Sequence, residues 1–515
     1  MEKDQTIIIG AGIGGLVSAA LLSARGVPVT VLEKEKSPGG KVRQLDVEGA
    51  NIDAGPTVFT MRDVIDDIFS AAGSSSDDHL ELERADMLAR HAWSRGERLD
   101  LYADPEKSAD AIGQFAGARA AAGYRSFSKE AARIYSILDR SMLRNSKVSW
   151  PLPLMWRIGL WRLGDLIAIR PYESLWKVLG EHFDDPRLRQ LFGRYTTYCG
   201  SSPFQTPATL MLIAHVESQG VWKIRGGMNA LANALEKVAI KNGARFRYDA
   251  PVAGISVARG RVTGVTLASG EAMAAGSVIC NADPAALGSG LFGADASHAA
   301  SAMPRHKRSL SAFVWLAKAR TGGFDLDHHN VFFSSDYPAE FADIRAGRPP
   351  GQPTAYVCRL GDTGPAGAQR LQIIVNAPAN GDVHQYTSEE KAECTANMLQ
   401  TLTHCGLEME PDFPHRLVTP SDFSTLFPAT SGALYGRASH GWAASFLRPG
   451  SRTRIHGLYC AGGATHPGAG VPMAALSGQL ASEAVLSDRT STRWFHRRAT
   501  AGGMSMRSAM TNATG

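Results

Sequence analysis

The clearest pattern of apolar and polar positions lies at the start of the chain. Thr6 to Ile9 is a β-branched run of the length and character of one buried strand. A glycine-rich turn and an Ala/Leu-rich stretch follow, and Pro28 to Leu32 forms a second apolar run. The order of strand, glycines, helix and strand predicts a βαβ unit at the beginning of an α/β domain.

Short apolar runs recur in two later parts of the chain. The first set, separated by turns, predicts a meander of strands that returns to the first domain; it comprises Phe246–Tyr248, Val252–Val257, Val262–Leu267 and Ser277–Cys280. The second set predicts the sheet of another domain, together with a helix around 389–402; it comprises Ala312–Leu316, Val331–Phe333, Thr354–Val357 and Leu371–Asn376.

The segment from Trp150 to Trp176 holds four of the nine tryptophans. Within it, Trp156, Leu160, Leu163 and Ile167 share one face of a helix. Tryptophan and arginine around an apolar face suit a helix that lies in a membrane interface. A core helix of a helical subdomain is the alternative, and the spacing leaves both open.

Composition narrows the class of protein. At 515 residues the chain is too long for one simple core, so two or three domains are expected. The net charge of +5 forms no long basic run, which argues against a nucleic-acid partner. The six cysteines are scattered without metal-like spacing and are expected to be reduced, as in a cytoplasmic protein. Neither a signal peptide nor an apolar run long enough to cross a membrane is expected.

The glycines after the first strand have separate mechanical roles. Gly10 permits the tight turn, Gly12 lets the backbone approach a pyrophosphate, and Gly15 lets helix and sheet pack closely. The helix N-terminus offers free N–H groups to the phosphates. Glu33 ends the second strand, where it can accept hydrogen bonds from a ribose. Together these residues predict nucleotide binding.

The sequence that follows favours FAD over NAD. A plain NAD domain would continue with another βαβ unit, whereas this chain continues with Pro38-Gly39-Gly40-Lys41 and then Asp53-Ala54-Gly55-Pro56. Near the C-terminus, Gly462 and Gly463 follow another short strand and precede an Ala-rich helix. Two glycine loops so far apart predict a discontinuous nucleotide domain, which the chain completes at its end.

At this point the chain resembles the bacterial phytoene-desaturase family of carotenoid dehydrogenases, over nearly its whole length. The C-terminal motif resembles most the branch that desaturates 1-hydroxycarotenoids at C3–C4. The motifs that carry the resemblance are Gly10-x-Gly12-x-x-Gly15 with Glu33, the 38–41 and 53–56 loops, Arg225-Gly226-Gly227-Met228, and Gly462-Gly463-x-Thr465-His466-Pro467-Gly468-x-Gly470-x-Pro472.

The resemblance implies FAD-dependent desaturation of a long carotenoid polyene, taken from a membrane surface by a peripherally attached cytoplasmic protein. Quinone or oxygen would accept the electrons. The alternatives are a phytoene desaturase, or a flavin-dependent carotenoid ketolase or isomerase of the same fold. A prenyl-lipid-binding escort protein shares the early glycines, but the intact loop at the flavin end argues against it.

The predicted site consists of cofactor contacts, with no metal. These contacts are Gly10, Gly12, Gly14, Gly15, Glu33, Gly40, Lys41, Gly55, Val252, Gly462, Gly463, Pro472 and Met473. Lys41 could equally be a solvated loop charge. No catalytic base is assigned, although His466, His440, Asp53 and Glu217 were weighed as proton acceptors.

The predicted fold is α/β: a discontinuous Rossmann-like FAD-binding domain, a β-sheet substrate domain and a helical, membrane-contacting subdomain. The FAD-binding domain is assigned to 1–75, 221–290 and 441–487. The substrate domain is assigned to 76–145 and 291–440, the helical subdomain to 146–220 and a flexible tail to 488–515.

Overall fold

The computed structural model describes residues 4–144, 168–363, 367–442 and 444–501. Its strands, in chain order, are β1 (Thr6–Ile9), β2 (Val29–Leu32), β3 (Gln44–Val47), β4 (Ala50–Asp53), β5 (Leu82–Arg84), β6 (Met87–Ser94), β7 (Glu97–Tyr102), β8 (Trp222–Ile224), β9 (Arg245–Arg247), β10 (Val252–Ala258), β11 (Arg261–Leu267), β12 (Ala272–Ala274), β13 (Ser277–Cys280), β14 (Ser311–Ala319), β15 (Thr321–Gly322), β16 (His329–Phe332), β17 (Ala355–Thr363), β18 (Ala368–Ala377), β19 (Glu408–Met409), β20 (His415–Val418) and β21 (Leu458–Cys460).

The α-helices of the same residues are α1 (Ile13–Ala24), α2 (Arg62–Ala71), α3 (Pro105–Ala116), α4 (Ala118–Leu138), α5 (Leu175–His182), α6 (Pro186–Gly193), α7 (Leu212–Ser218), α8 (Asn229–Lys241), α9 (Pro284–Gly288), α10 (Ala294–Ser297), α11 (Tyr337–Arg345), α12 (Ser388–His404), α13 (Pro420–Leu426) and α14 (Val471–Ala501).

The first sheet is parallel and is assembled from distant parts of the chain. Its strand order is β21-β13-β1-β2-β9. The four residues of β1 and the four of β13 are all buried, because each strand lies between two others with helices packed on the sheet. Since β1, β13 and β21 come from three separate stretches, the predicted discontinuous α/β nucleotide domain is confirmed.

The predicted meander is divided between two sheets. β10, β11 and β12 form an antiparallel sheet, as the hairpin turns predict. β9 and β13 instead pair in parallel with β2 and β1. The meander prediction was therefore wrong for its first and last strands, which are needed to extend the parallel sheet.

The second large sheet has the strand order β20-β14-β18-β17-β16-β6-β7. It contains the strands predicted from the apolar runs between 312 and 376. Successive residues of its strands point to opposite faces of the sheet. On β18, Ile373 packs in a core with α12, whereas Ile374 lines a cavity. The domain boundaries assigned from the sequence stay predictions. β5 falls in the assigned substrate domain and β8 in the assigned FAD-binding domain, and the two strands pair with each other.

Two expectations, one about the tryptophan-rich segment and one about the C-terminal tail, fall partly outside the described residues. Trp176 does not extend an interfacial helix, because its ring packs against Phe204 and Tyr337 at centroid distances of 4.7 and 6.0 Å. Trp150, Trp156 and Trp161 lie outside the described residues. The assignment of a flexible tail to 488–515 stays a prediction; α14 continues through 501, and residues 502–515 are outside the described part.

None of the helices in the described ranges combines the length and the apolar character that crossing a bilayer requires.

Candidate functional site: a flavin cradle and an apolar cavity

Three glycine loops meet through their backbones at the ends of β1 and β2. The N–H of Gly39 donates to the carbonyl of Ala11 at 2.8 Å, and Gly12 and Gly39 form a bridge between the loops. A Cβ on Gly55 would lie 1.8 Å from the carbonyl oxygen of Lys41. The structure therefore brings the 10–15, 38–41 and 53–56 loops into one cradle, as the sequence predicts.

The cradle has no room for side chains. A Cβ on Gly15 would lie 2.1 Å from the carbonyl oxygen of Gly10, which itself has a φ of +95°. A Cβ on Gly14 would lie 2.7 Å from the backbone nitrogen of Gly462. On Gly40, a Cβ would lie 3.2 Å from the Cα of Gly12. This close backbone approach is what a pyrophosphate at a strand–helix turn requires.

Glu33 is buried at the end of β2 and anchors the cradle. Its Oε2 accepts from the N–H of Ala11 at 2.6 Å, and its Oε1 accepts from the N–H of Glu35 at 2.9 Å. A carboxylate has further lone pairs, which leaves capacity for a ribose hydroxyl. The N–H of Ala250 donates to the Glu33 carbonyl at 2.8 Å, so Val252 begins β10 close to the same end of the sheet.

Asn281 is a site residue that the sequence analysis missed. It follows β13, and its side-chain nitrogen donates to the carbonyl of Gly10 at 3.2 Å. Its Oδ1 is buried without a hydrogen-bond partner among the described residues, 2.7 Å from the place that a Cβ on Gly14 would occupy. An acceptor in this position fits a ligand with hydroxyl donors, as FAD has. Its place after a parallel strand was the available signal.

The C-terminal glycine loop completes the cradle. The N–H of Gly462 donates to the Ser477 hydroxyl at 2.7 Å, and α14 begins a few residues later at Val471. Pro472 and Met473, in its first turn, line the large cavity described below. The positive end of the α14 dipole therefore borders the cavity, where it would stabilise negative charge on a flavin ring bound there. The residues fit FAD.

Lys41 is not a solvated loop charge. Its ammonium group donates to the carbonyl of Leu434 and lies 5.2 Å from the centroid of the Phe427 ring. Burial lowers its pKa below the usual range for lysine. Contact between Lys41 and the cofactor stays a prediction, and so do the other contacts assigned from the sequence.

Three of the residues weighed as proton acceptors hold loops in place. Oδ2 of Asp53 accepts from the N–H of Met228 at 2.8 Å, which ties the 53–56 turn to the Arg225–Met228 loop. The His440 ring accepts from the N–H of Ser202 at 3.1 Å. The His466 ring is hydrogen-bonded to a main-chain carbonyl at 3.0 Å.

Glu217, the fourth of these residues, lines the large cavity. It is 4 % exposed, and burial raises the pKa of its carboxyl. Oε1 accepts from the hydroxyl of Tyr198 at 3.2 Å, and Oε2 accepts from the hydroxyl of Tyr195. Among the four, Glu217 is the one that the structure places where a substrate can reach it.

The cavity has a volume of about 300 Å³ and is lined mainly by apolar side chains. It lies between the 467–473 segment and the large sheet, and one of its lining residues, Trp442, is 42 % exposed. Representative lining residues are Leu138, Ile169, Leu212, Ile213, Val216, Ile374, Pro472 and Met473. This combination of shape and lining suits a long apolar ligand.

Arg448 fixes the loop between the cavity and the cradle, and the sequence analysis missed it. Its guanidinium donates to the carbonyls of Tyr435 and Arg437 at 2.9 Å each, and to that of Gly463 at 3.5 Å. These partners lie 11 to 15 residues from Arg448, with no spacing that a sequence motif would mark, so the fold was needed to reveal its role.

The fold also gathers His328, His329 and Cys358, whose potential ligand atoms lie within 4.8 Å of one another. The sequence pointed to no metal because the cysteines are scattered. Burial raises the pKa of the Cys358 thiol to about 12, which keeps it protonated, and its sulfur lies 3.8 Å from the His328 ring nitrogen. We assign no metal to this group.

Comparison with known proteins agrees with this geometry. Residues 13–486 match the family described as flavin containing amine oxidoreductase. The chain is 47 % identical to a hydroxyneurosporene desaturase of Rubrivivax gelatinosus, over 99 % of this chain and 98 % of the relative. It is 30 % identical to a zeta-carotene-forming phytoene desaturase of Myxococcus xanthus, over 96 % and 95 % of the two chains.

A solved structure of putrescine oxidase has the same fold, with a TM-score of 0.59 at 15 % identity, over 94 % of this chain and 99 % of that one. The family match begins within the first glycine loop and extends past the C-terminal glycine loop, so it covers nearly all of the chain. The chain therefore belongs to the flavin-containing amine oxidoreductase family, within which it is a FAD-dependent carotenoid desaturase of the bacterial type.

Proposed function

We propose that this desaturase introduces the C3–C4 double bond into an acyclic 1-hydroxycarotenoid. The observation that carries the proposal is the apolar cavity, which reaches the first turn of α14 and also contains charged side chains. Similarity at 47 % identity to a hydroxyneurosporene desaturase supports the hydroxylated substrate over phytoene, since the phytoene desaturase relative is 30 % identical.

In this proposal the residues of the cradle hold FAD. The glycines admit the pyrophosphate, Glu33 accepts from a ribose hydroxyl, and the N-terminus of α14 stabilises negative charge on the flavin ring. When bound, FAD would supply the oxidation as the acceptor of a hydride from one carbon of the bond, and the proton from the adjacent carbon would be released as H⁺. The apolar wall excludes water and holds the polyene along the ring.

The test is desaturation by purified holoenzyme of an acyclic 1-hydroxycarotenoid and, in parallel, of phytoene. We expect a product two hydrogens lighter from the hydroxylated substrate, with its absorption shifted to longer wavelength by the added conjugation. Conversion of phytoene alone would show an ordinary phytoene desaturase. An isomer of unchanged mass, or a product with added oxygen, would show an isomerase or a ketolase and contradict the proposal.

The same assay can identify the compound that accepts the electrons. We propose that a quinone or oxygen reoxidises the cofactor. Turnover under anaerobic conditions with added quinone, and under air without it, distinguishes the two. If neither supports more than one turnover, both acceptors are excluded.

We further propose that the cavity opens toward a membrane surface. Trp442 lines the cavity and is 42 % exposed, and its ring lies 5.6 Å from that of Tyr172, which is 78 % exposed. Leu447 is exposed on the same segment as Trp442. Exposed aromatic rings beside an apolar opening suit contact with lipid headgroups and acyl chains.

Flotation with phospholipid vesicles tests this surface. The double variant Tyr172→Ser/Trp442→Ser should bind vesicles roughly tenfold more weakly, because two apolar anchors are lost. Leu291→Ser is the matched control, since Leu291 is exposed but does not line the cavity. Equal loss in the control, or no loss in the double variant, would exclude this docking surface.

A further inference from the structure

The cavity contains two arginines whose surroundings differ. Arg448 is 5 % exposed, and three main-chain carbonyls accept from its guanidinium. Arg194 begins the short 3₁₀ segment Arg194–Cys199 and lines the same cavity. Its one side-chain hydrogen bond among the described residues is a long one, 3.5 Å, to the hydroxyl of Tyr198. Arg448 uses its N–H donors to hold main-chain carbonyls in place, whereas Arg194 has N–H donors left for another group.

Arg194 also lacks an ion-pair partner within the described part of the chain. Its guanidinium lies over the rings of Tyr198 and Tyr356, at 5.4 and 5.3 Å from their centroids. A guanidinium has five N–H donors in a fixed plane, and ring faces do not accept all of them. Arg194 is partly buried, and a cation in an apolar cavity with unused donors is costly unless a ligand oxygen or water satisfies them.

Tyr198 and Glu217 continue from Arg194 along the wall. The Tyr198 hydroxyl accepts from Arg194 and donates to Oε1 of Glu217 at 3.2 Å. All three side chains line the cavity, and we refer to them together as the polar pole. The pole offers N–H donors from Arg194 and a remaining lone pair on the Tyr198 oxygen. An alcohol, which both accepts and donates, complements that arrangement.

The pole is connected to the flavin cradle through two contacts. Arg194 lies over the ring of Tyr356, whose hydroxyl is 2.6 Å from the Thr57 hydroxyl. Thr57 directly follows the 53–56 turn of the cradle. A group bound at the pole is thus held close to the cofactor end of the cavity, on a wall shared by both.

We propose that the polar pole is a subsite for the tertiary hydroxyl group of the carotenoid and sets which carbon–carbon bond lies against the flavin. The proposal rests on the proposed function. In a 1-hydroxycarotenoid the C3–C4 bond begins two bonds from the carbon that bears the hydroxyl, so anchoring that oxygen fixes the register. The rest of the polyene is apolar and could slide along the wall without such an anchor.

The experiment compares two substrates with holoenzyme: an acyclic 1-hydroxycarotenoid and the same polyene without the hydroxyl. In the wild type, kcat/KM should favour the hydroxylated substrate. Tyr198→Phe should reduce that selectivity about tenfold and Arg194→Met by more, because a hydrogen bond from a charged donor contributes more. Arg194→Lys should restore part of the selectivity, since it restores a charged donor.

Tyr195→Phe is the matched control. Tyr195 donates to the same Glu217, but it lines a separate small cavity with Leu88 and Tyr124 and not the large one. We expect it to leave selectivity unchanged. Flavin content and melting temperature of each variant show whether it is folded, and the position of the new double bond reports register directly. Loss of register should give desaturation at other bonds.

Equal losses of kcat/KM on both substrates in the pole variants, with the new bond still at one position, would overturn the subsite and leave the proposed function intact. If Tyr195→Phe lost as much selectivity as Tyr198→Phe, the loss would come from altered packing around Glu217 and not from a contact with the hydroxyl group. The subsite would then also be overturned. A wild type that converts the two substrates equally would overturn the subsite, whereas a wild type that does not desaturate the 1-hydroxycarotenoid would overturn the proposed function.

Discussion

The flavin cradle and the substrate cavity are built on different principles. The cradle consists of backbone from loops that touch at van der Waals limits, and a Cβ at Gly15 would approach a carbonyl oxygen to 2.1 Å. The cavity is bounded by side chains from β17, β18, α4 and α7, with space left between them. The first surface recognises a cofactor shared by many enzymes. The second must fit one substrate.

The difference determines where each surface tolerates change. Adding one methyl group to the cradle forces backbone to move, whereas removing one from the sheet leaves a small void. Polar groups differ as well, because the cradle combines main-chain groups with the side chains of Glu33 and Asn281, whereas the polar groups of the cavity are side chains such as Arg194. We therefore expect substitutions to separate cofactor loss from changes in stability or specificity.

The largest effect is expected for Gly15→Ala. Since the new Cβ meets the Gly10 backbone, the turn must open, and the purified protein should retain less than roughly one tenth of the wild-type flavin. Flavin absorbance per protein measures this. Gly96→Ala is the control, because nothing lies within 4 Å of its added Cβ. Normal flavin content in Gly15→Ala would contradict the cradle.

The second effect is on the pH dependence of stability, through a buried carboxyl that lies behind the cavity wall and accepts from the lining residue Thr354. Glu340 is 1 % exposed and accepts from the Thr354 hydroxyl at 2.7 Å, yet burial raises its pKa to about 7. A raised carboxyl pKa means that the folded state holds the proton more tightly. Its stabilising contribution is therefore complete below about pH 4 and is lost as pH rises through about 7.

Denaturant unfolding at a series of pH values tests this sign. The free energy of unfolding should fall by about 3 kcal/mol across that window in the wild type relative to Glu340→Gln, which cannot titrate. Glu393→Gln, at an exposed position of α12, should keep the wild-type slope. Parallel slopes for wild type and Glu340→Gln would show that Glu340 is ionised throughout.

A smaller effect is expected for Glu33→Gln in the cradle. The amide keeps the shape but loses the charge that strengthens its hydrogen bonds, so FAD affinity should fall by about 2 kcal/mol, or roughly thirtyfold. FAD titration of the apoprotein measures the change. Glu35→Gln removes an exposed neighbouring charge and serves as control. Matching affinities in the two variants would mean that Glu33 does not contact the cofactor.

The smallest effect is expected for Ile373→Val in the sheet. Ile373 is fully buried against the α12 side, and loss of one methylene should cost about 1 kcal/mol of stability with flavin content unchanged. Ile374→Val, one residue along and facing the cavity, should cost less because its methyl borders open space. A larger cost at Ile374 would show that the cavity wall is as tightly packed as the core.

The sequence predicted most of the cradle and little of the cavity. Glycine spacing, Glu33 and the C-terminal loop were visible because each lies in a local motif with its own spacing. Asn281 was missed because it acts on a loop from a distant part of the chain. Arg448 was missed because its partners, 11 to 15 residues away, follow no motif spacing. The meander was misjudged at β9 and β13 because strand length and turns do not reveal which neighbour a strand will pair with.

By itself the sequence determined that this chain has a βαβ nucleotide unit, binds FAD and returns at its end to complete that domain. These properties follow from local backbone requirements, which glycine, β-branched and acidic residues record at fixed spacings. Only the tertiary structure decided that Arg194, Tyr198 and Glu217 share one cavity wall and that Asp53 and His440 hold loops. Whether a charged side chain is satisfied or available depends on partners far away in sequence, and local spacing cannot specify them.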